Sequence, residues 1–269
     1  MATRKSKHSR TEKADPTIAA GRLHDTIEDG YIFVFSDAHY WPGEATTAHR
    51  GMIALIKELK PKIVVCNGDA FDGASISRHP RIGWDSAPSV TEELEAVRVR
   101  LAEIEKAAKG ASLYWPIGNH DARFETYLAD KAPQFEGVAG FALKDHFPAW
   151  TPCMSVWING DLVIKHRLGG GANAASTNAR TSGKSMVTGH LHSLKVSPIT
   201  DYNGTRFGVD TGTLARPYGQ QFLYTEDNPV DWRAGFAVFK FIDGKMMWPQ
   251  VAAVREEGVM EYCGKIYNV

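Results

Sequence analysis

The chain has 269 residues, with 31 basic and 31 acidic side chains, 43% hydrophobic and 23% charged residues. That composition excludes a disordered, collagen-like or coiled-coil chain, and no apolar run approaches the roughly 20 residues that cross a bilayer. The neutrality conceals an asymmetry: Arg4, Lys5, Lys7, Arg10 and Lys13 face only Glu12 and Asp15 in the first fifteen residues, so a basic arm precedes a mildly acidic body and a strongly basic nucleic-acid-binding body is not supported.

Residues 1–28 are polar, contain Pro16 and are expected to form a disordered arm, with residues 29–269 as a single domain. Residues 31–35 form an apolar run that predicts a buried strand. Met52, Ile53, Leu55, Ile56 and Leu59 repeat at helical spacing before Pro61, and residues 63–66 predict a second buried strand. Residues 73–90 hold several Gly and Pro breakers and read as a loop. Residues 91–109 predict a strong helix with Thr91 at or beside its N-cap, stopped by Gly110. A third strand covers residues 113–117.

The second half reads mostly as β: a hairpin over 153–166 around Asn159-Gly160, a strand at 186–188, and alternating segments near 194–200, 205–210, 235–242 and 245–251 with turns at Asn203-Gly204 and Asp243-Gly244. Phe236, Phe239, Phe241 and Trp248 read as core. Cys66, Cys153 and Cys263 are odd in number and lack a CxxC pattern, so neither a disulfide framework nor a thiolate zinc site is expected. With no apolar leader at the start, the expected compartment is the reducing cytoplasm, with no membrane association.

Five polar clusters follow these apolar runs: Asp37-x-His39, Gly68-Asp69-x-x-Asp72, Gly118-Asn119-His120-Asp121, Lys165-His166 and Gly189-His190-x-His192. Each alone reads as a turn or a structural histidine; together they bring imidazoles and carboxylates to strand ends, where α/β folds place their chemistry. In extended chain, residues i and i+2 share a side, so Asp37 with His39, and His190 with His192, would each address one site. Imidazole and carboxylate without thiolate suit Mn, Fe, Zn or Ni.

In this order the clusters resemble the calcineurin-like metallophosphoesterase superfamily. The likeness extends more loosely to compact members of the repair-exonuclease type, some of them phage-encoded, through the block Val209–Thr213 that follows the GHLH cluster. The resemblance implies an α/β fold of two facing mixed β-sheets flanked by helices, a four-layer sandwich, with two divalent metal ions, Mn2+ foremost. Asp37, His39 and His192 would hold the first metal, Asn119, His166 and His190 the second, and Asp69 would bridge them. His120 would protonate the leaving oxygen or steady the phosphoryl group, Asp121 would orient His120, and Asp72 would support a motif histidine. His166 departs from the family's usual Gly-flanked context; it is preferred over His146 because it ends a predicted strand.

The implied reaction is hydrolysis of a phosphoester by a metal-bridging hydroxide. A phosphodiesterase or nuclease acting on nucleic acid or on nucleotides is the first reading. A phosphomonoesterase of the protein Ser/Thr phosphatase type and a non-catalytic scaffold are the alternatives; every ligand position holds a competent residue, which argues against the scaffold. Arg78, Arg81 and Trp84 in the 73–90 loop, and Arg123 after the GNHD cluster, are the substrate-binding candidates, with a plain surface loop as the competing reading for the first three. The stretch 167–184 reads equally as a flap or as a helix packed through small residues.

Overall fold

The computed structural model describes residues 21–79 and 87–269. Residues 1–20 of the arm expected over 1–28, and the candidates Arg81 and Trp84, lie outside the described residues. One sheet runs in the order β1 (Arg22–Asp25), β6 (Ser155–Ile158), β7 (Leu162–Ile164), β8 (Ser185–Thr188), β10 (Gly204–Thr211) and β9 (Leu194–Asp201). The other runs β15 (Lys265–Asn268), β14 (Val259–Tyr262), β13 (Gln250–Glu256), β11 (Gly235–Ile242), β2 (Gly30–Phe35), β3 (Ile63–Cys66), β4 (Ser112–Pro116) and β5 (Thr151–Cys153), with β12 (Lys245–Met246) beside β11. Both sheets are mixed: β2, β3, β4 and β5 are parallel while β11 runs antiparallel to β2.

The two-residue period of a strand sorts the core into layers. Ile32 and Val34 of β2, Ile63 and Val65 of β3, and Phe239 and Phe241 of β11 face the other sheet and meet Val156, Ile158, Ile164 and Val187. The alternate residues Phe33, Phe35, Val64, Cys66, Phe236 and Val238 face the helices α1 (Thr47–Leu59) and α2 (Val90–Ala107), which bury Met52, Leu55 and Ile56, and Val97, Leu101 and Ile104. On the outer face of the smaller sheet, Ala179 of α4 (Ala174–Ser182) packs on Val163, Met186 and Ile199. Helix, sheet, sheet, helix is the four-layer sandwich expected from the sequence. A shorter helix, α3 (Arg123–Lys131), follows β4.

Several expectations change. The body begins earlier than residue 29, because Arg22–Asp25 pairs in parallel with Ser155–Ile158. Helix α2 is capped by Ser89, whose side chain and that of Glu92 form a capping box, so Thr91 lies inside the helix. The 167–184 stretch contains a helix whose small residues are used for packing: a Cβ at Gly208 of β10 would lie 1.8 Å from the carbonyl oxygen of Ala175. Trp248 is 56% exposed rather than core, with its ring against Phe207. Strands β14 and β15 were not expected.

The two sheets are also joined by polar contacts. Asn159, at φ 51° in the turn between β6 and β7, accepts from the Ile27 amide at 2.9 Å and donates to the carbonyls of Ile27 at 2.8 Å and Gly244 at 2.9 Å. Gly244 belongs to the β11–β12 turn, so one side chain ties the turns of both sheets. Asn159→Ala loses three hydrogen bonds and puts alanine in left-handed backbone, an expected cost of about 2–4 kcal/mol. Urea unfolding with an unchanged slope checks this; a cost under about 0.5 kcal/mol, the range of inert surface changes, would contradict it.

Candidate metal centre

Strands β2, β3 and β4 of one sheet, and β7 and β8 of the other, end at the same edge of the sandwich and carry the five polar clusters there. Backbone bonds lock the loops together: the Asp37 amide donates to the Gly68 carbonyl, His39 to Asp69 and Gly189 to His166, each at 2.9 Å. The turns are sharp. Asp37, His39, Asp69, His190 and His192 have φ of 51°, 39°, 55°, 72° and 58°, a region that non-glycine residues enter at a cost and that concentrates at functional sites. The two DxH- and HxH-type pairs therefore converge through left-handed loop backbone, not through the extended alternation expected from the sequence.

Two groups of donor atoms result. Asp37, His39 and His192 converge within 4.8 Å of one another, as do Asp69, His166 and His190. Eight buried side-chain polar atoms among the described residues lack a hydrogen-bond partner. Asp37 Oδ1, His39 Nε2, Asn119 Oδ1, His166 Nε2 and His192 Nδ1 are five of them; Asp37 Oδ1 lies 3.2 Å from His192 Nε2 and His166 Nε2 3.1 Å from Asp69 Oδ2, charge pairs without hydrogen-bond geometry. Buried polar atoms are normally paired, so this concentration needs a further electrophile at the centre of the cluster. A hard or borderline cation meets it, since the donors are nitrogen and oxygen with no thiolate.

For Asp37, His39, Asp69 and His166 the other polar atom of the side chain is held from behind. Asp37 Oδ2 accepts from the His190 amide at 2.8 Å and from the Ser36 hydroxyl. Ser36 in turn meets Thr211 Oγ1 at 2.6 Å, and Thr213 Oγ1 donates to the Asp37 carbonyl at 2.6 Å, so the Val209–Thr213 block buttresses Asp37. Asp69 Oδ1 accepts from the His120 amide at 2.8 Å. His166 Nδ1 donates to the Asn67 carbonyl at 2.8 Å, which leaves Nε2 3.1 Å from Asp69 Oδ2. A Cβ on Gly118 would lie 2.1 Å from Asp69 Oδ1, so that position admits no side chain.

The electrostatics follow from this packing. Burial would lower the His166 pKa, but the carboxylates of Asp69 and Asp37 outweigh it and hold the group up at about 10. Burial opposes ionisation of Asp69 as well, yet His166 beside it keeps the carboxyl well below its ordinary range. His39 and His190 are shifted down, burial being the largest cause for each.

A third group, His39, Asp72 and His120, is explained by its own hydrogen bonds: Asp72 Oδ1 meets His39 Nδ1 at 2.9 Å and His120 Nδ1 at 2.8 Å. The carboxylate that meets the His120 ring is therefore Asp72 rather than Asp121. Asp121 makes its hydrogen bonds elsewhere. Its Oδ2 accepts from the amides of Asp69 at 2.8 Å and Gly118 at 2.9 Å and from Trp115 Nε1 at 2.9 Å, and its Oδ1 from the Phe71 amide at 3.0 Å. Asp121 ties the GDxxD and GNHD loops together, and burial, aided by the charge of Asp69, raises its pKa to about 6.

Arg123 lies against the same corner: Nη1 donates to the Asp72 carbonyl at 2.8 Å and Nη2 sits 3.2 Å from His120 Nε2. Arg78 is exposed. His146 bonds to the Gly140 carbonyl at 2.8 Å, away from both donor groups. Glu93 was not singled out from the sequence. It is fully buried on α2 and accepts from the amides of Gly73 at 2.6 Å and Ala74 at 2.9 Å, fixing the loop that follows Asp72. The signal was its position on the apolar stripe with Val97, Leu101 and Ile104. Also missed were Phe222 and Trp232, whose rings pack at 5.2 and 4.4 Å from that of His192, with Phe222 equally 5.2 Å from His39.

The profile of the calcineurin-like phosphoesterase family matches residues 30–194, more than half of the chain. The chain belongs to the calcineurin-like phosphoesterases. It is a metal-dependent phosphoester hydrolase, and the five polar clusters fall within the matched span, while the Val209–Thr213 block, Phe222 and Trp232 lie beyond it. Among solved structures it is similar in fold to Vps29 of Entamoeba histolytica complexed with zinc, at 12% identity and a TM-score of 0.45 over 88% of this chain and 98% of that one. An archaeal phosphodiesterase gives 14% identity and 0.41 over 82% and 99%, and the Pseudomonas putida nuclease MPE gives 14% and 0.38 over 81% and 86%. A search of curated proteins finds no match. No described helix is long and apolar enough to cross a membrane.

Two outcomes test this assignment of roles. Asp121→Asn turns an amide N–H2 toward a backbone donor and is expected to cost about 2–4 kcal/mol in stability; a shifted pH–rate profile with unchanged stability would instead make Asp121 the partner of His120. Burial, with the charge of Asp72, raises the Glu93 pKa to about 7 from 4.5. The folded state therefore holds that proton more tightly, so this contribution to stability is complete below pH 4.5 and is lost as pH rises through about 7. Glu93→Gln should flatten the difference in urea midpoint between pH 5 and pH 8; an unaltered difference would contradict the shift.

Proposed function

We propose that this chain is a phosphodiesterase acting on nucleic acid or nucleotides, with two divalent cations of which manganese is the first choice. Asp37, His39 and His192 would hold one cation, Asn119, His166 and His190 the other, and Asp69 would lie between them. The observation that carries this reading is the set of buried donor atoms without hydrogen-bond partners, which lie in or beside two convergent groups, Asp37, His39 and His192, and Asp69, His166 and His190. When bound, the cations supply Lewis acidity, neutralising phosphoryl oxygens and activating water as nucleophile.

The remaining work falls to the chain's own residues. His120 is held through Nδ1 by Asp72, and 22% of its side chain reaches solvent, so Nε2 is the ring nitrogen left for a substrate oxygen, which would take the place of Arg123 Nη2, now 3.2 Å away. Burial would lower its pKa, but Asp72 and Asp69 raise it above the ordinary histidine value, which suits a group that donates a proton to a leaving alkoxide. Arg123 beside Nε2 adds a fixed positive charge at the same oxygen.

The diester preference is supported by charge. Apart from the cations, Arg123 is the guanidinium in contact with His120, and part of its donor capacity is spent on the Asp72 carbonyl. A diester brings a single negative charge and two organic arms, and the half-buried ring of Trp232, backed by Phe222, offers an apolar surface for one arm.

With manganese present, bis-p-nitrophenyl phosphate should be hydrolysed faster than p-nitrophenyl phosphate. His120→Ala should keep its metal content and lose turnover by about 10²–10⁴-fold. A faster monoester, or full turnover in the variant, would overturn the respective part.

A further inference from the structure

The segment between β10 and β11 turns back over the donor cluster. The Arg233 amide donates to the His192 carbonyl at 2.9 Å, and Thr213 forms a bridge with Ala234. Its aromatic residues are graded from core to solvent. Phe222 is 2% exposed and stands against the rings of His39 and His192. Trp232 is half-buried, 5.1 Å from Phe222 and 4.4 Å from His192. Tyr224 is 59% exposed, with its ring 6.4 Å from that of Trp232.

We propose that the exposed ring of Tyr224, with Trp232 edge-on beside it at 63°, is a stacking face for the nucleobase adjoining the scissile phosphate, so that the site selects substrates by a base on the arm laid against this ring. This rests on the phosphodiesterase reading above and names what that reading leaves open. The position of Tyr224 supports it: its ring is 6.3 Å from that of Phe222, which itself lies 5.2 Å from the rings of His39 and His192, so the exposed ring stands one side chain away from the donor cluster. The platform is also fixed in place, since Asp231, next to Trp232, pairs with Lys195 Nζ at 2.7 Å and with Arg233 at 3.3 Å.

The chemistry of the rim selects the ligand class. The sequence neighbours of Tyr224 and Trp232 include Glu226, Asp227, Asp231 and Arg233, so no long apolar stretch suited to an acyl chain adjoins the two rings. A phosphopeptide offers an aromatic group only where its sequence happens to place one, whereas every nucleotide carries a π-face, and stacking on an aromatic side chain is tolerant of which base it is.

The test uses the manganese-loaded enzyme and two diesters that both release p-nitrophenolate: thymidine 5′-p-nitrophenyl phosphate and methyl p-nitrophenyl phosphate. Tyr224→Ala should lower kcat/KM on the nucleoside ester about tenfold or more, mainly through KM, and change the methyl ester less than about twofold. Tyr224→Phe should stay within about twofold of the parent on both. Calorimetric binding of thymidine monophosphate should weaken by the same factor in Tyr224→Ala, with binding of inorganic phosphate unchanged. Equal effects on the two esters, or none on either, would overturn the platform and leave the diesterase reading standing. A parent enzyme that hydrolyses neither diester but cleaves p-nitrophenyl phosphate would overturn both. Greater dependence on Tyr224 for a phosphoserine peptide than for the nucleoside ester would assign the platform to peptides instead.

Discussion

A cluster of nitrogen and oxygen atoms that are buried, convergent and without hydrogen-bond partners is the constraint around which this molecule is built. Each such atom costs free energy on its own, and the loops that aim them are held in left-handed backbone at a further cost. The rest of the fold offsets these costs. Two sheets with a shared apolar interior bring five strand ends to one edge, and the short bonds between loops leave the donor side chains no other arrangement.

Behind the converging atoms lies a second set of contacts with a division of labour. Ser36, Thr211 and Thr213 fix Asp37, the Asn67 carbonyl fixes His166, and Asp72 fixes His39 and His120 with a single oxygen. Because Asp72 Oδ1 serves both rings, the geometry of a proposed metal-holding histidine and that of the proposed proton donor are coupled through one atom. Glu93 and Asp121 act one step further back, on backbone amides, and set the course of the loops rather than any reacting group.

Much of this was legible in the sequence, for physical reasons. The apolar runs of residues 31–35 and 63–66 have two-residue alternation that sorts between the sheets and the helices, and the polar clusters directly after such runs land at strand ends. The Asn-Gly and Asp-Gly turns carry their own backbone preference. Other features were not legible. Which aspartate meets His120 depends on how two loops pass each other, so adjacency in sequence pointed to Asp121 while the fold selected Asp72. Phe222, Tyr224 and Trp232 lie in an irregular segment with no period to mark a face, and nothing local says that it folds back over His192. Strands β14 and β15 sit at a sheet edge, where half-exposed polar residues blur the alternation.

The central claim is that cations occupy the unpartnered atoms, and it predicts which nitrogen of each ring is used. Histidine side-chain 15N resonances followed during titration with zinc test it directly, since zinc is diamagnetic and suits the same donors. His39 and His166 should bind through Nε2 while Nδ1 keeps its bond to Asp72 or to the Asn67 carbonyl, with saturation at two equivalents per chain. Unchanged Nε2 resonances, or binding through Nδ1 of either ring, would contradict the proposed centre.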